Sequence, residues 1–246
     1  MPEQPVSKAP SQIAAMFDAI AGKYDFLNHL LSAGIDRRWR RRAIEALELT
    51  GDERVLDVCT GTGDLAIAAT LGAHRAARVV GVDFAQEMLR VGVGKLRQRQ
   101  LSRTVTLVRG DAARLPVADR AVHAVMVAFG IRNVEDTGAA CREMARVLKP
   151  DGRLAVLEFS IPTTPGIRQI YLWYFNHVLP RIGRLFSRHR GAYGYLPASV
   201  GGFSSPDQFV KILVDSGFGD VRPTPLTFGV AFLYTARRRN ETDATI

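Results

Sequence analysis

Short apolar runs, each followed by a stretch with helical spacing, dominate the middle of the chain. Val55-Leu56-Asp57-Val58-Cys59 enters the turn Thr60-Gly61-Thr62-Gly63-Asp64, and Leu65-Ala66-Ile67-Ala68-Ala69 continues with strong helix formers. The same reading predicts a second strand over 78–83, a helix over 85–101, a third strand over 103–109 and a fourth over 121–129. A helix over 137–148 is closed by Lys149-Pro150-Asp151-Gly152, and a fifth strand covers 153–159. Strands alternating with helices predict a parallel sheet with helices on both faces.

After Ser160 the rhythm breaks. Residues 161–205 hold an aromatic-rich helix, a basic tip and a Tyr-rich stretch, with no strand pattern. The alternation resumes with a helix over 206–216 and strands over 220–226 and 229–237. Ahead of the first strand, Ile13 to Phe17 and then Ile20 recur at helical spacing, and the segment through Trp39 and Ile44 reads as an N-terminal helical cap. The chain is therefore expected to form one domain over 11–239, between a disordered tail at 1–10 and a flexible tail at 240–246. The insertion at about 161–205 follows the carboxyl end of a strand, where open α/β sheets bind ligands, so it fits a substrate lid.

Composition narrows the class. Of 246 residues, 47% are hydrophobic, which is globular usage and enough for a sizeable core. Cys59 and Cys141 lack C-x-x-C spacing and the five histidines form no H-x-x-x-H pair, so no disulfide framework and no metal are expected. No cleavable leader pattern opens the chain and no run of 18 apolar residues occurs, which predicts a cytoplasmic protein. The net charge of +9 gathers in Arg37-Arg38-Trp39-Arg40-Arg41-Arg42, Arg188-His189-Arg190 and Arg237-Arg238-Arg239. Such runs suit an anionic partner, phospholipid headgroups or nucleic acid, or simply a solvated helix face.

The candidate chemistry starts at the glycine turn. Gly61 and Gly63 let the backbone turn sharply and approach a ligand without a Cβ in the way. A lone G-x-G is weak, but Asp57 sits inside the strand before it. Asp83 ends the second strand 20 residues after Gly63, and Asp111 ends the third. Carboxylates at successive strand tips accept hydrogen bonds from ribose hydroxyls and from polar groups near an adenine. This set resembles the class I S-adenosylmethionine (AdoMet) methyltransferases.

Further motifs narrow the resemblance. Tyr24-Asp25-x-x-Asn28 with Ser32 and Trp39, Phe129-Gly130-Ile131-Arg132-Asn133-Val134, and the stretch from Arg146 to Ser160 are similar to the ubiquinone/menaquinone biosynthesis C-methyltransferase family. His177-Val178-Leu179-Pro180-Arg181-Ile182-Gly183 and Tyr193-x-Tyr195-Leu196 extend the likeness, which covers roughly residues 12–237. The resemblance implies a doubly wound, Rossmann-like, seven-stranded and mostly parallel sheet, with its last two strands antiparallel at the edge. It also implies AdoMet as methyl donor, no metal, and a polyprenyl hydroquinone methylated on a ring carbon, in menaquinone and also ubiquinone biosynthesis. Demethylmenaquinol is the favoured acceptor, though the residues do not separate a naphthoquinol from a benzoquinol. The competing reading is a methyltransferase of the same fold acting on another small phenolic or polyketide metabolite.

By the same resemblance, Asp57, Gly61, Thr62, Gly63, Asp83, Phe84, Asp111, Ala112 and Ala128 fall to the cofactor, and Tyr24, Asn28 and Phe129 to the substrate. Ala128 departs from the family's usual Ser, and Asp36 and Val122-His123 from its usual His and Phe-Asp. Activating a ring carbon requires polarising the neighbouring hydroxyl. Arg132 and Asn133 are the candidates for stabilising its oxygen, and His177 or a tyrosine, Tyr24 or Tyr195, for taking or relaying the proton. A nucleic-acid acceptor is not expected, because Phe129-Gly130-Ile131-Arg132-Asn133 stands where base-amino methyltransferases carry an Asn/Asp-Pro-Pro-aromatic motif. Ile170, Tyr171, Trp173, Tyr174, Phe175, Val178, Leu179 and Ile182, with Arg181, Arg184, Arg188 and Arg190 nearby, could rest at the inner membrane face. The alternatives for this surface are packing on the sheet or a homodimer interface.

Overall fold

The computed structural model describes residues 10–32, 34–178, 181 and 190–240. Apart from Pro10, which already begins a helix, and Asn240, the two expected tails lie outside the described residues. Helix α1 (Pro10–Leu31) and helix α2 (Ile35–Glu45) precede the sheet, joined through Gly34 at φ 77°. Then follow β1 (Arg54–Val58), α3 (Asp64–Ala68), β2 (Arg78–Asp83), α4 (Gln86–Gln98), β3 (Val105–Arg109), β4 (Val122–Ala128), α5 (Thr137–Val147) and β5 (Leu148–Phe159). The insertion supplies α6 (Ile167–Trp173), a π-helical turn over Tyr174–Val178, and α7 (Arg190–Gly201). Helix α8 (Pro206–Asp215), β6 (Phe218–Leu226) and β7 (Ala231–Arg238) complete the chain.

The seven strands lie in the order β3-β2-β1-β4-β5-β7-β6. Strands β1 to β5 pair in parallel, β7 runs antiparallel to β5, and β6 antiparallel to β7. Alternation along each strand divides the core between two faces. Leu56, Val58, Val125, Val127, Leu154 and Val156 pack under α5 and α8 through Cys141, Met144, Phe209 and Leu213. Val55, Ala124, Met126, Ala155 and Leu157 pack under α2 and α3 through Trp39, Ala43, Ile44, Leu65 and Ile67.

Local chemistry fixes the helix ends. Asp136 caps α5 by accepting the Ala139 N–H, and Ser205 with Gln208 forms a capping box ahead of Pro206 on α8. The predicted stop at 149–152 is instead the opening of β5. Val122 of β4 pairs with Leu148, and an irregular register carries the pairing on to Ala124 and Arg153, past Asp151 at φ 57°.

Candidate functional site

Where β1 ends, Cys59 (φ 57°), Gly61 (φ 56°) and Gly63 (φ 79°) bend the backbone back over the sheet. The Gly61 N–H donates to Asp83 Oδ2 at 2.8 Å and the Ala85 N–H to Oδ1 at 2.9 Å, so the acid at the tip of β2 holds the turn. Burial raises the Asp83 pKa despite these donors. Asp57, one strand over and 1% exposed, accepts the Thr60 hydroxyl on Oδ2, while its Oδ1 has no hydrogen-bond partner. Burial pushes this carboxyl up to about 7.

A first cavity opens above the turn between Gly61, Asp83, Phe84, Met88, Cys59, Ala128, Phe129, Gly130 and Asn133, closed from above by Phe17 and Tyr24 of α1. The close approach of β1 and β4 here depends on Gly130, where a Cβ would lie 2.3 Å from that of Cys59. Helix α1 is fastened to the turn. Thr62 donates to Asp25 Oδ1 at 2.5 Å, Lys95 Nζ to Asp25 Oδ2 at 2.8 Å, and Lys95 also pairs with Asp64. The Glu87 N–H donates to Asp18 at 2.7 Å, tying the start of α4 to α1 as well.

Phe17, Tyr24 and Phe129 are shared with a second, larger and mainly apolar cavity. Its walls include Met16, Ile20 and Ile35 from the cap, Phe159 from β5, Tyr171, Tyr174 and Tyr195 from the insertion, and Val230. Phe129, itself at φ 60°, stacks on Phe159 with ring centroids 4.3 Å apart, and Trp39 tilts against Phe129 and meets Phe159 edge-on. A bulky residue at positive φ is costly and persists where surrounding structure holds it.

Arg132 lies in this wall, 4% exposed. Its Nη1 donates to Glu158 Oε1 at 2.7 Å and to the Phe129 carbonyl, its Nε to Ser199, and the guanidinium sits 5.6 Å from the Phe159 ring centre. Burial works against the charge, and Glu158 more than offsets it, so the Arg132 pKa is raised. Asn133, buried beside it, accepts the Tyr195 hydroxyl at 2.9 Å. Burial raises the pKa of Tyr24, which bonds to Asn28, and likewise that of Tyr195, so both phenols are neutral at pH 7.

The predicted residues distribute unevenly over this geometry. Gly61, Asp83, Phe84, Ala128, Phe129, Tyr24 and Asn133 meet at the first cavity, while Arg132, Asn28 and Tyr195 stand at the second. Asp57 at the end of β1 and Thr62 and Gly63 within the turn line neither cavity; the Thr62 hydroxyl is taken by Asp25. Asp111 is exposed and caps the Ala113 N–H, and Ala112 packs into the core, so neither lines a cavity. His177 is not brought to the site. It is exposed, its Nδ1 at 3.1 Å from the Trp173 carbonyl and its ring stacked on Trp173, so a proton-taking role there is not retained.

Of the insertion's predicted surface, Ile170 and Trp173 are exposed, whereas Tyr171 and Tyr174 turn inward. Leu179, Ile182, Arg184 and Arg188 lie outside the described residues, as do the side chains of Phe175 and Arg190. Burial keeps the Cys59 thiol protonated, against any nucleophilic use, and His123 accepts the Arg54 N–H at the far end of β1. Among the described residues no cluster of His, Cys, Asp or Glu could hold a metal, and no helix is long and apolar enough to cross a membrane.

Sequence reading met Asp25, Glu158 and Phe159 only inside family motifs and gave them no site role, and it did not single out Lys95. Glu158 did carry a signal, a lone acid inside an apolar strand like Asp57.

The geometry can be set beside known proteins. The model described as the ubiE/COQ5 methyltransferase family matches residues 6–238. A ubiquinone/menaquinone biosynthesis C-methyltransferase UbiE from Syntrophotalea carbinolica is 48% identical over 223 residues, covering 91% of this chain and 92% of the relative. Another from Citrifermentans bemidjiense is 44% identical, covering 95% and 99%. A demethylmenaquinone methyltransferase from Chlorobaculum parvum is 41% identical, covering 94% and 95%. Among solved structures, the [4+2]-cyclase SpnF superposes with a TM-score of 0.68 at 20% identity, covering 96% of this chain and 98% of the other. A SAM-dependent methyltransferase from Aquifex aeolicus gives 0.58 at 18%, covering 81% and 89%. At these identities the structures speak to the fold alone.

Proposed function

This chain belongs to the ubiE/COQ5 methyltransferase family and is an AdoMet-dependent methyltransferase, and from that premise we propose that it methylates a ring carbon of a polyprenylated hydroquinone, demethylmenaquinol before others. The observation that carries this reading is the aromatic-walled cavity, which has the buried Arg132 in its wall and meets the glycine-turn cavity at Phe17, Tyr24 and Phe129. The names borne by the relatives point the same way.

The residues of the first cavity fit AdoMet. The Asp83 carboxylate keeps lone pairs beyond those taken by Gly61 and Ala85, as a ribose diol requires. Phe84 and Met88 offer apolar faces for an adenine. Gly61 leaves room that a Cβ, 3.3 Å from Met88 Cε, would reduce. AdoMet supplies a methyl group already activated by its sulfonium.

The chain's own part is to hold the ring and manage charge. Phe129, Phe159 and Tyr171 give the ring flat apolar neighbours and keep water from the reacting carbon. Arg132, fixed by Glu158, offers a cation to the oxygen that gains charge as the ring carbon attacks. Tyr24 and Tyr195, kept neutral by burial, orient the oxygen instead of removing its proton. With AdoMet bound, transfer would form one carbon–carbon bond on the ring, leave the methyl–sulfur pair on sulfur and release one proton to solvent. Met16, Ile20 and Ile35 continue the apolar lining for a prenyl tail, and the exposed Ile170 and Trp173 fit an edge resting on the inner face of a membrane.

The test is product mass after incubation with AdoMet and, separately, reduced demethylmenaquinone and a reduced demethylated benzoquinone analogue. Gain of one methylene unit on a ring carbon is expected, fastest with the naphthoquinol. AdoMet binding without transfer to either quinol would overturn the proposal and direct attention to other phenolic acceptors.

A further inference from the structure

The apolar cavity has a second polar patch, formed where α1 ends and α2 begins. Ser32, Asp36 and Arg40 all line it. Asp36 is 2% exposed, yet three groups donate to it: Ser32 Oγ to Oδ1 at 2.7 Å, His29 Nδ1 to Oδ2 at 2.9 Å, and Arg40 Nη1 to Oδ2. Burial favours the neutral acid, but Ser32, Arg40 and His29 together outweigh it and hold the carboxyl below its ordinary value. An ionised carboxylate only accepts hydrogen bonds, and the single Ser32 proton is already committed to it. Both groups therefore offer the cavity lone pairs and no proton. Arg40, the cation beside them, faces Asp36, lies 4.0 Å from Asp64 and covers the Phe129 ring at 5.7 Å.

A hydroquinone and its quinone share skeleton and tail, so an apolar cavity accepts both about equally. They differ in that each quinol oxygen carries a proton and each quinone oxygen carries none. Arg132, elsewhere in the wall, donates to an oxygen in either form and does not discriminate. At the Ser32–Asp36 patch the two forms part. A quinol hydroxyl donates into the Ser32–Asp36 patch, whereas a quinone carbonyl meets lone pairs there and must compete with the Asp36 carboxylate for Arg40. We propose that Asp36, with Ser32, selects the redox form of the acceptor, admitting the hydroquinone and rejecting the quinone. The inference rests on the quinol reading above. It gives the site a filter against an occupant that fits but has no nucleophilic ring carbon.

The experiment compares equilibrium binding of one short-tailed demethylated naphthoquinone in its reduced form, kept under anaerobic reductant, and in its oxidised form. S-adenosylhomocysteine is present throughout to complete the site without turnover. The wild-type chain is expected to prefer the quinol by about 10-fold or more; sites built to hydrogen-bond a substrate hydroxyl discriminate by up to ~10⁴–10⁵. Asp36→Asn, whose amide can donate to a carbonyl, should bring the ratio to within about 3-fold of unity by tightening quinone binding. Ser32→Ala, which leaves the Arg40 contact in place, should give an intermediate ratio and serves if the Asp36 variant fails to fold. Equal wild-type affinities, or an Asp36→Asn variant that weakens both forms by one factor, would overturn the filter. Failure of both forms to bind the wild type would instead refute the quinol reading itself.

Discussion

Glu158 offers the sharpest test of how the site is held. Its side chain is 0% exposed and that of Arg132 5%, so neither charge is relieved by solvent. Oε1 takes Arg132 Nη1 at 2.7 Å and the Phe159 N–H at 2.8 Å, and Oε2 takes the Arg132 N–H at 3.3 Å. In Glu158→Gln the amide keeps one acceptor but turns an NH₂ towards the Arg132 backbone donor, and the buried guanidinium loses its counter-charge. Removing one partner of a buried pair costs about 3–5 kcal/mol. For a chain of this size each kcal/mol moves Tm by about 2–4 °C, so a fall of roughly 6–20 °C is expected by calorimetry. Replacing both partners by apolar residues, Arg132→Met with Glu158→Leu, should recover much of that fall, because no uncompensated charge remains. Transfer to quinol should stay lost, since the cation that meets the oxygen is gone. A Glu158→Gln shift under about 2 °C, or a double variant that regains activity with Tm, would refute the argument.

Other consequences follow from the same geometry. Gly130→Ala would drive a Cβ to 2.3 Å from the Cys59 Cβ, lowering stability by about 1–3 kcal/mol and weakening AdoMet binding. Adding Cys59→Gly, compatible with the φ of 57° there, should restore both, and an unaltered AdoMet Kd in Gly130→Ala alone would argue against the packing. The native Asp57 carboxyl titrates at about 7, against an ordinary 3.8. The native chain thus keeps a proton that the unfolded chain releases, and this group's stabilisation is fullest below about pH 4 and fades as pH rises to about 7. Asp57→Asn lacks that loss, so its Tm should gain on the wild type between pH 5 and pH 8; parallel curves would count against the raised value. Tyr195→Phe removes the bond that orients Asn133; a net hydrogen bond of about 1 kcal/mol predicts a fall in Tm of about 2–4 °C and, where the same energy is lost from the transition state, a roughly 5-fold fall in kcat/KM. Unchanged kcat/KM would mean the Asn133 carboxamide needs no orienting.

Most of the sheet was legible because its signals are local. Val55, Leu56 and Val58 before Gly61, and Val125 and Val127 before Phe129, carry burial and turn in neighbouring letters. The glycine turn and Asp83 were readable for the same reason. What escaped depends on approach between distant segments. Arg132 could be picked out as a cation past a strand end, but its pairing with Glu158, 26 residues on, is set by the parallel register of β4 and β5. The bonds of Asp25 to Thr62 and Lys95 span still larger separations and are created by the way α1 crosses the turn. His177 shows the converse error. It sits among aromatic residues, but which side of a helix faces the cavity is decided by docking, and docking turns Tyr171 and Tyr174 inward and His177 out.

Helix α1 roofs both cavities at once, with Phe17 and Tyr24 standing over each and Asp18 and Asp25 anchored to α4, Thr62 and Lys95. A single roof over two chambers leaves them no independent doors. Lifting it to exchange one occupant loosens the grip on the other, and seating one occupant beneath it prepares the other's ceiling. Under such a roof the two ligands are expected to enter in a set order and their products to depart in a set order, which product-inhibition patterns with S-adenosylhomocysteine would check. The four-group clasp of Asp25, Thr62, Lys95 and Asp64 is then the place where a substitution should change how quickly the cycle begins again.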